Sequence, residues 1–219
     1  MINKLIIALA VALTSCLGLC QAEPIQWSVN GHYYEAVLFS RDVTQNEISL
    51  AISAMGQAYA VVGSNGIGWH EARVVAQSRG GYLASIKSQA ENDFVFSLIS
   101  DPIYWNSGAG PWFGGGQDLL AQNYSEPAGG WVWVNDYDRA HFEPMVYTKW
   151  YGSEPNNSGG YENVTHFCTE GSSQAPSPYW NDRASNIPCV GFVIEYVPEP
   201  ATLSLLALGG LAMIRRRRK

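Results

Sequence analysis

Residues 147–162 read YTKWYGSEPNNSGGYE and residues 180–182 read WND, and the interpretation of the whole chain depends on these two stretches. Together they place five oxygen-bearing side chains within 29 residues: Glu154, Asn156, Glu162, Asn181 and Asp182. Ca²⁺ takes about six to eight oxygen ligands, mixing carboxylates with amide and backbone carbonyls. Pro155 can aim its two neighbours' oxygens the same way, above all if its peptide bond is cis. These residues make a Ca²⁺ site possible, but composition alone favours a solvated acidic loop, and the order of motifs along the rest of the chain decides between the two.

The chain around these loops combines two helical patterns with many short apolar segments. A helix is predicted over 69–78, because Trp69, Ala72 and Ala76 fall on one face. A second helix begins at Ser88-Gln89-Ala90-Glu91, which is a capping box. Short strands are predicted in Gly-rich surroundings at 131–134, 163–168 and 190–196. Helices followed by many short strands indicate an α+β fold.

The part of the chain before the first predicted helix is less regular. Asn30-Gly31 between apolar stretches of residues 27–39 predicts a β-hairpin. Residues 40–68 are weakly patterned, and we interpret them as an insertion. No period of about 20–50 residues recurs, so one domain is expected over 23–196 rather than a repeat array.

The order of motifs along residues 27–196 resembles the C-type lectin-like domain. The matching pieces are Trp69-x-x-Ala72, Gly80-Gly81-x-Leu83-Ala84-x-Ile86, Glu91, Trp112-Phe113-Gly114-Gly115, Gly130-Trp131-x-Trp133, Tyr147-x-x-Trp150, Glu154-Pro155-Asn156 and Trp180-Asn181-Asp182. The resemblance implies a C-type lectin-like fold, with two helices, short antiparallel strands and long Ca²⁺-binding loops.

The resemblance also implies roles for the site residues. One Ca²⁺ would be held by Glu154, Asn156, Glu162, Asn181 and Asp182, and the same residues except Asp182 would bind two neighbouring sugar hydroxyls. The order Glu-Pro-Asn implies mannose-type sugars. The expected function is therefore Ca²⁺-dependent glycan binding without catalysis.

Two other functions remain open from the sequence. The same fold and ion would also suit a module that binds a protein partner and no sugar. A glycoside hydrolase would use Glu154 and Glu162 as an acid–base pair, although a carboxylate that ligates Ca²⁺ is ionised and not available as an acid. Asp136, Asp138 and Glu143 form a candidate second Ca²⁺ site, with a solvated loop as the alternative.

The cysteines give a further expectation. Cys168 and Cys189 are the pair that remains after an export signal is removed, and in an oxidising compartment they predict one disulfide, with two free thiols as the alternative. The long disulfide of the resembled family has no counterpart, because the corresponding positions are Ala76 and Ile194. Two apolar side chains there are expected to be buried without a crosslink.

Both ends of the chain indicate export. Residues 1–22 are typical of a signal peptide cleaved after Ala22, and Leu13-Thr14-Ser15-Cys16 offers the alternative of a lipidated Cys16. Residues 197–219 resemble a PEP-CTERM tail, with Pro198-Glu199-Pro200, the apolar segment 201–214 and a basic cluster. The resemblance implies a Gram-negative bacterium, transient inner-membrane association, cleavage by an exosortase, and release to the cell surface or extracellular matrix. An ordinary single-span transmembrane helix is the alternative.

The charge of the exported part limits its partners. Six of the 13 basic residues are Lys4 and the final five, which leaves 7 basic and 19 acidic residues, a net charge of −12, over 23–200. This negative charge argues against nucleic acid as a partner, because phosphate contacts need Lys and Arg. It suits a divalent cation, and the expected partner is a glycan or exopolysaccharide.

Overall fold

A computed structural model of the protein describes residues 23–56, 65–135 and 138–198. The predicted signal peptide, the apolar segment 201–214, Asp136, Glu199 and Pro200 lie outside these ranges. Over the described ranges, no helix is both long enough and apolar enough to cross a membrane.

The structure contains three α-helices in its described residues, one more than predicted: α1 (Gln45–Ala54), α2 (Trp69–Ser78) and α3 (Gln89–Ile99). The bounds of α2 are those predicted, and α3 begins as predicted, with the Ser88 hydroxyl accepting from the Glu91 amide. The additional helix α1 lies in the expected insertion. Its Ile48, Ala51 and Ile52 are buried, which is the spacing of one helical face.

The strands are short, and they join into one sheet. They are β1 (Ile25–Gln26), β2 (Tyr33–Leu38), β3 (Tyr82–Leu83), β4 (Ala109–Gln117), β5 (Trp131–Trp133), β6 (Glu143–Pro144), β7 (Val164–Glu170), β8 (Ala175–Arg183) and β9 (Gly191–Tyr196). The order is β1-β2-β9-β4-β5-β6, with β3 on β9 and β7 between β4 and β8. The predicted hairpin is β1–β2. The sheet is mixed rather than antiparallel throughout, because β4 meets β9 in parallel at Trp112 and Phe192.

Side chains alternate across this sheet into two cores, because successive residues of a strand point to opposite faces. On β2, Val37 packs with the helices α1 and α2, whereas Ala36 and Leu38 pack with α3. Ala76 and Ile194 are both fully buried in the first core, as expected for the positions that lack the family's long disulfide.

The second core is organised around the indole of Trp180, which is completely buried. Its ring centroid lies 5.0 Å from that of Phe113 and 6.0 Å from that of Trp150. The indole Nε1 donates to Asn92 Oδ1 at 2.7 Å, and Asn92 Nδ2 donates to the Pro178 carbonyl at 3.0 Å. Helix α3 and strand β8 are thereby fixed to each other.

The structure does not show the expected disulfide, and Cys168 and Cys189 are both buried. Cys168 lies on β7 opposite Ala109 of β4, and Cys189 forms a β-bridge with Ile67 just before β9. Burial raises the pKa of both thiols to about 12. The disulfide between them stays a prediction.

Replacing Asn92 by Ala should destabilise the domain. The substitution leaves the buried Trp180 N–H without an acceptor, and a buried unsatisfied group costs about 1–3 kcal/mol. We expect the free energy of unfolding in urea to fall by about 2 kcal/mol, with an unchanged m-value. The control is Asn123→Ala at an exposed position; an Asn92 variant as stable as this control would contradict the anchoring role.

Candidate functional site

The β7–β8 pair places two of the predicted site residues. Asn181 lies opposite His166 and Asp182 lies opposite Thr165 in an antiparallel register. Trp180, the residue before Asn181, pairs with residues 149–151 on its backbone. Its amide donates to the Lys149 carbonyl, and its carbonyl accepts from the Tyr151 amide. The segment before the Glu-Pro-Asn loop is therefore held against the end of β8.

The loop that follows carries Glu154 and Asn156 back to Asp182. The Glu154 amide donates to the Tyr151 carbonyl at 2.9 Å, and the bond from Glu154 to Pro155 is cis. The carboxylate of Asp182 accepts from the backbone amides of Asn156 at 3.1 Å and Asn157 at 2.7 Å. One buried carboxylate thus holds the turn of the loop against β8.

Glu162 closes the same loop from its other end. Its Oε2 accepts from the Ser158 amide at 2.9 Å, and its own amide donates to Asn157 Oδ1 at 3.0 Å. Asn157 adopts a left-handed conformation with φ 48°, which Asn tolerates better than most residues. The structure therefore brings all five predicted residues to one loop and the adjoining strand.

Four polar atoms at the predicted site and beside it are buried without a hydrogen-bond partner: the oxygens Glu154 Oε2 and Asn181 Oδ1 and the nitrogens His166 Nδ1 and Arg183 Nε. Buried polar atoms are almost always paired, so such atoms require an explanation, which a bound ion can supply for the oxygens. The two oxygens accept hydrogen bonds, and both belong to predicted Ca²⁺ ligands. The amide of Asn181 contacts the buried ring of His166, with 3.4 Å between Nδ2 and Nε2.

The electrostatics of the loop disfavour negative charge. Burial raises the pKa of Glu154 to about 7, with further contributions from the negative charges of Asp182 and Glu162. Burial also raises the pKa of Glu162. The pKa of His166 falls to about 3, because burial and the nearby Arg183 disfavour its charged form. The imidazole is therefore neutral and does not offset the negative charge of the carboxylates, whereas the Arg183 charge partly offsets the rise in the pKa of Glu162.

The side chains are not arranged as a formed metal centre. Across residues 23–56, 65–135 and 138–198, no group of three or more His, Cys, Asp or Glu is placed to hold an ion. The backbone amides of the loop occupy both oxygens of Asp182 and one oxygen of Glu162. The donor set nevertheless fits a hard cation, since it consists of carboxylate and amide oxygens alone.

The described carboxylates of the candidate second Ca²⁺ site are engaged by other groups of the protein. Asp138 Oδ1 accepts from the Ala140 amide at 2.9 Å. Glu143 pairs with Lys87 at 2.5 Å and accepts from Asn135 at 3.2 Å. These contacts favour the solvated-loop alternative for the described members of that cluster.

The aromatic side chains Trp105 and Tyr151 are both half-buried, and the Trp105 indole donates to the Ile99 carbonyl at 2.6 Å. The sequence reasoning missed Tyr161, which is 61% exposed beside Glu162. Its signal is an aromatic residue directly before a predicted ligand, after two glycines.

Comparison with known proteins gives two family matches and several relatives. The C-type lectin domain matches residues 65–190, and the PEP-CTERM protein-sorting motif matches residues 197–219. A perlucin-like protein of Mytilus galloprovincialis is 30% identical over 129 residues, which cover 59% of this chain and 70% of that protein. The human C-type lectin domain family 4 member K is 27% identical over 115 residues, 52% of this chain but only 28% of that protein.

Among solved structures, the chain is similar to the cow C-type carbohydrate-recognition domain of CD23, determined in the presence of an oligosaccharide. The TM-score is 0.49 at 20% identity, covering 84% of this chain and 100% of that one. The match over 65–190 spans more than half of the chain and contains the whole candidate site. The chain belongs to the C-type lectin domain family, and it carries the PEP-CTERM motif that directs export and sorting in Gram-negative bacteria.

Proposed function

We propose that this protein is an exported lectin that binds mannose-type glycans through one Ca²⁺. The ligands would be Glu154, Asn156, Glu162, Asn181 and Asp182. The observation that carries the proposal is the pair of buried, unpartnered acceptors, Glu154 Oε2 and Asn181 Oδ1. Glu154 belongs to the loop that the Asp182 carboxylate holds, and Asn181 precedes Asp182 on β8. A cation bound between them would satisfy both oxygens.

The residues of the loop would change partners when the site fills. The Glu154 carboxyl, whose pKa is near 7, would lose its proton. Glu162 would exchange its contact with the Ser158 amide for the ion. Asp182 would keep its bonds to the loop amides with part of its lone pairs, since a carboxylate has about four acceptor positions.

The sugar would be read by the same side chains. Bound Ca²⁺ would supply coordination positions for two neighbouring sugar hydroxyls. Glu154 and Glu162 accept hydrogen bonds from those hydroxyls, whereas the amides of Asn156 and Asn181 donate. A carboxylate engaged in this way is ionised, which leaves no acid for glycoside hydrolysis, and the family is generally non-enzymatic.

His166 would orient Asn181 for this role. If Asn181 presents Oδ1 to the ion, its Nδ2 faces His166 and must donate to Nε2. The imidazole then accepts at Nε2 and carries its proton on Nδ1. A neutral ring is required, and the burial that lowers the pKa of His166 provides it.

Export would bring this site to polysaccharide outside the cell. An exosortase would cut the tail at Pro198-Glu199-Pro200 while segment 201–214 is in the inner membrane. The released domain would act at the cell surface or in the extracellular matrix, with exopolysaccharide as a partner.

Calcium should stabilise the domain, and more strongly at higher pH. A ligand that binds only the folded state adds about 2.7 kcal/mol at 100 times its Kd, or about 5–10 °C for a domain of this size. Without Ca²⁺, the raised pKa of Glu154 contributes stability below pH ~4.5 that is lost as the pH rises through about 7. The Ca²⁺-induced rise in Tm should therefore grow between pH 5 and 8, as measured by calorimetry.

Two variants make this measurement specific. Glu154→Gln should abolish most of the rise in Tm and also flatten the pH dependence of the metal-free protein. Glu126→Gln is the matched control. Glu126 also precedes a cis proline, but it is exposed and lies outside the candidate site. An unchanged Tm of the wild type in millimolar Ca²⁺ would refute the assigned ligands.

The order of donors and acceptors around the ion should set the sugar preference. The double change Glu154→Gln with Asn156→Asp keeps the net charge of the pair and reverses that order. We expect retained Ca²⁺ binding, weaker binding of mannose-type ligands and a shift toward galactose-type ones on a glycan array. A glycan profile identical to the wild type would place the sugar elsewhere, and silence of the folded wild type with and without chelator would favour a protein partner.

A further inference from the structure

The last strand of the sheet ends close to the sorting tail. Strand β9 ends at Tyr196, and the PEP-CTERM match begins at residue 197. Residues 197–200 alone separate this strand from the apolar segment 201–214, and four extended residues span at most about 14 Å. The headgroup layer on each side of a bilayer is about 5–7 Å thick. While segment 201–214 is in the membrane, the end of the sheet at Tyr196 is therefore held near the lipid headgroups.

The turn of the β1–β2 hairpin lies at the same end of the sheet. Strand β2 runs antiparallel to β9, with Tyr33 opposite Tyr196, so the residues that precede Tyr33 lie beyond the end of β9. The Trp27 amide donates to the His32 carbonyl at 2.9 Å, and the Trp27 ring stacks on Phe94 of α3 with 5.9 Å between their centroids. The turn is therefore fixed to the body of the domain. We call this surface, residues 27–33 and 196–198, the exit end.

The exit end combines exposed apolar side chains with a lack of acidic ones. Val29 is 73% exposed, Val197 is 48% exposed and Tyr33 is 38% exposed. No Asp or Glu occurs in residues 27–33 or 196–198, although residues 23–200 carry a net charge of −12. Like charges repel, so an acidic surface of the domain would be held away from anionic lipids. The exit end can approach such lipids without this repulsion.

We propose that the exit end docks on the lipid surface of the inner membrane while the tail is uncut. The inference rests on the proposed export and sorting, and it adds a contact made by the folded domain itself. Val29 and Val197 enter the headgroup region. Tyr33 lies at its boundary, where an aromatic ring that carries a polar group is suited to an apolar side and a wet side.

Cleavage of the tail then releases the domain. Three exposed side chains bury little apolar surface, so their contact with lipid is weak by itself. The uncut tail makes this contact intramolecular, and a short tether supplies an effective concentration in the millimolar range. Cutting at residues 198–200 removes the tether, and the weak contact no longer holds the domain at the membrane.

The test identifies which side of the domain meets lipid. The tail-bearing protein, made without its signal peptide in a host that lacks exosortase, would be reconstituted in vesicles of phosphatidylethanolamine and phosphatidylglycerol. A fluorophore would be attached to Ser28→Cys in the exit end, or to Val146→Cys, an exposed position after β6 at the other edge of the sheet. Cys168 and Cys189 are buried and compete little for the label. Because most tethered domains should be docked, lipids with a nitroxide at the headgroup should quench residue 28 about fivefold more strongly than residue 146.

Matched substitutions separate docking from mere nearness. Val29→Asp should remove most of the excess quenching at residue 28, whereas Val146→Asp, the same change at an exposed valine elsewhere, should retain it. Both variants should keep Ca²⁺-dependent glycan binding, because β8 is separated from β9 by β4 and β7.

The failures are distinguishable. Quenching at residue 28 that survives Val29→Asp would show nearness imposed by the tail alone, and equal quenching at residues 28 and 146 would leave the exosortase as the partner of this end. Either result overturns the docking, while the proposed glycan binding stands. A tail-bearing protein that does not float with the vesicles would refute the proposed membrane stage of sorting and the docking together.

Discussion

The buried indole of Trp180 ties three parts of the chain together, and the candidate site depends on all three. Its ring packs on Phe113 of the central strand, its N–H bonds to Asn92 of α3, and its backbone pairs with the segment entering the ligand loop. Asn181 and Asp182 follow directly in the chain. Because the backbone at residue 180 cannot shift without breaking these contacts, the two candidate ligands on β8 have a fixed position relative to the loop.

The loop itself is held by an arrangement that a cation would improve. Glu154, Glu162 and Asp182 converge on one loop, and the backbone amides of residues 156–158 satisfy part of their acceptor capacity. Burial raises the pKa of both glutamates. The loop therefore has a defined conformation that still contains unpaired acceptor oxygens, which is the observation behind the proposed Ca²⁺ site.

The remainder of the fold is stabilised by two apolar cores. Helices α1 and α2 cover one face of the sheet and α3 covers the other, so the sheet is buried on both sides. Ala76 and Ile194 are buried where the resembled family has its long disulfide. Helix α1 adds apolar contacts from the segment that the sequence indicates as an insertion.

The sequence by itself determined the family, α2, the start of α3 and the strands β5, β7 and β9, and it singled out the five candidate ligands, because these depend on local periodicity, capping and motifs in order. Tertiary structure alone decided the rest. The parallel contact of β4 with β9 and the pairing of β8 with β7 each depend on segments distant in the chain. Their positions follow from the packing of the two cores, which local sequence patterns do not encode.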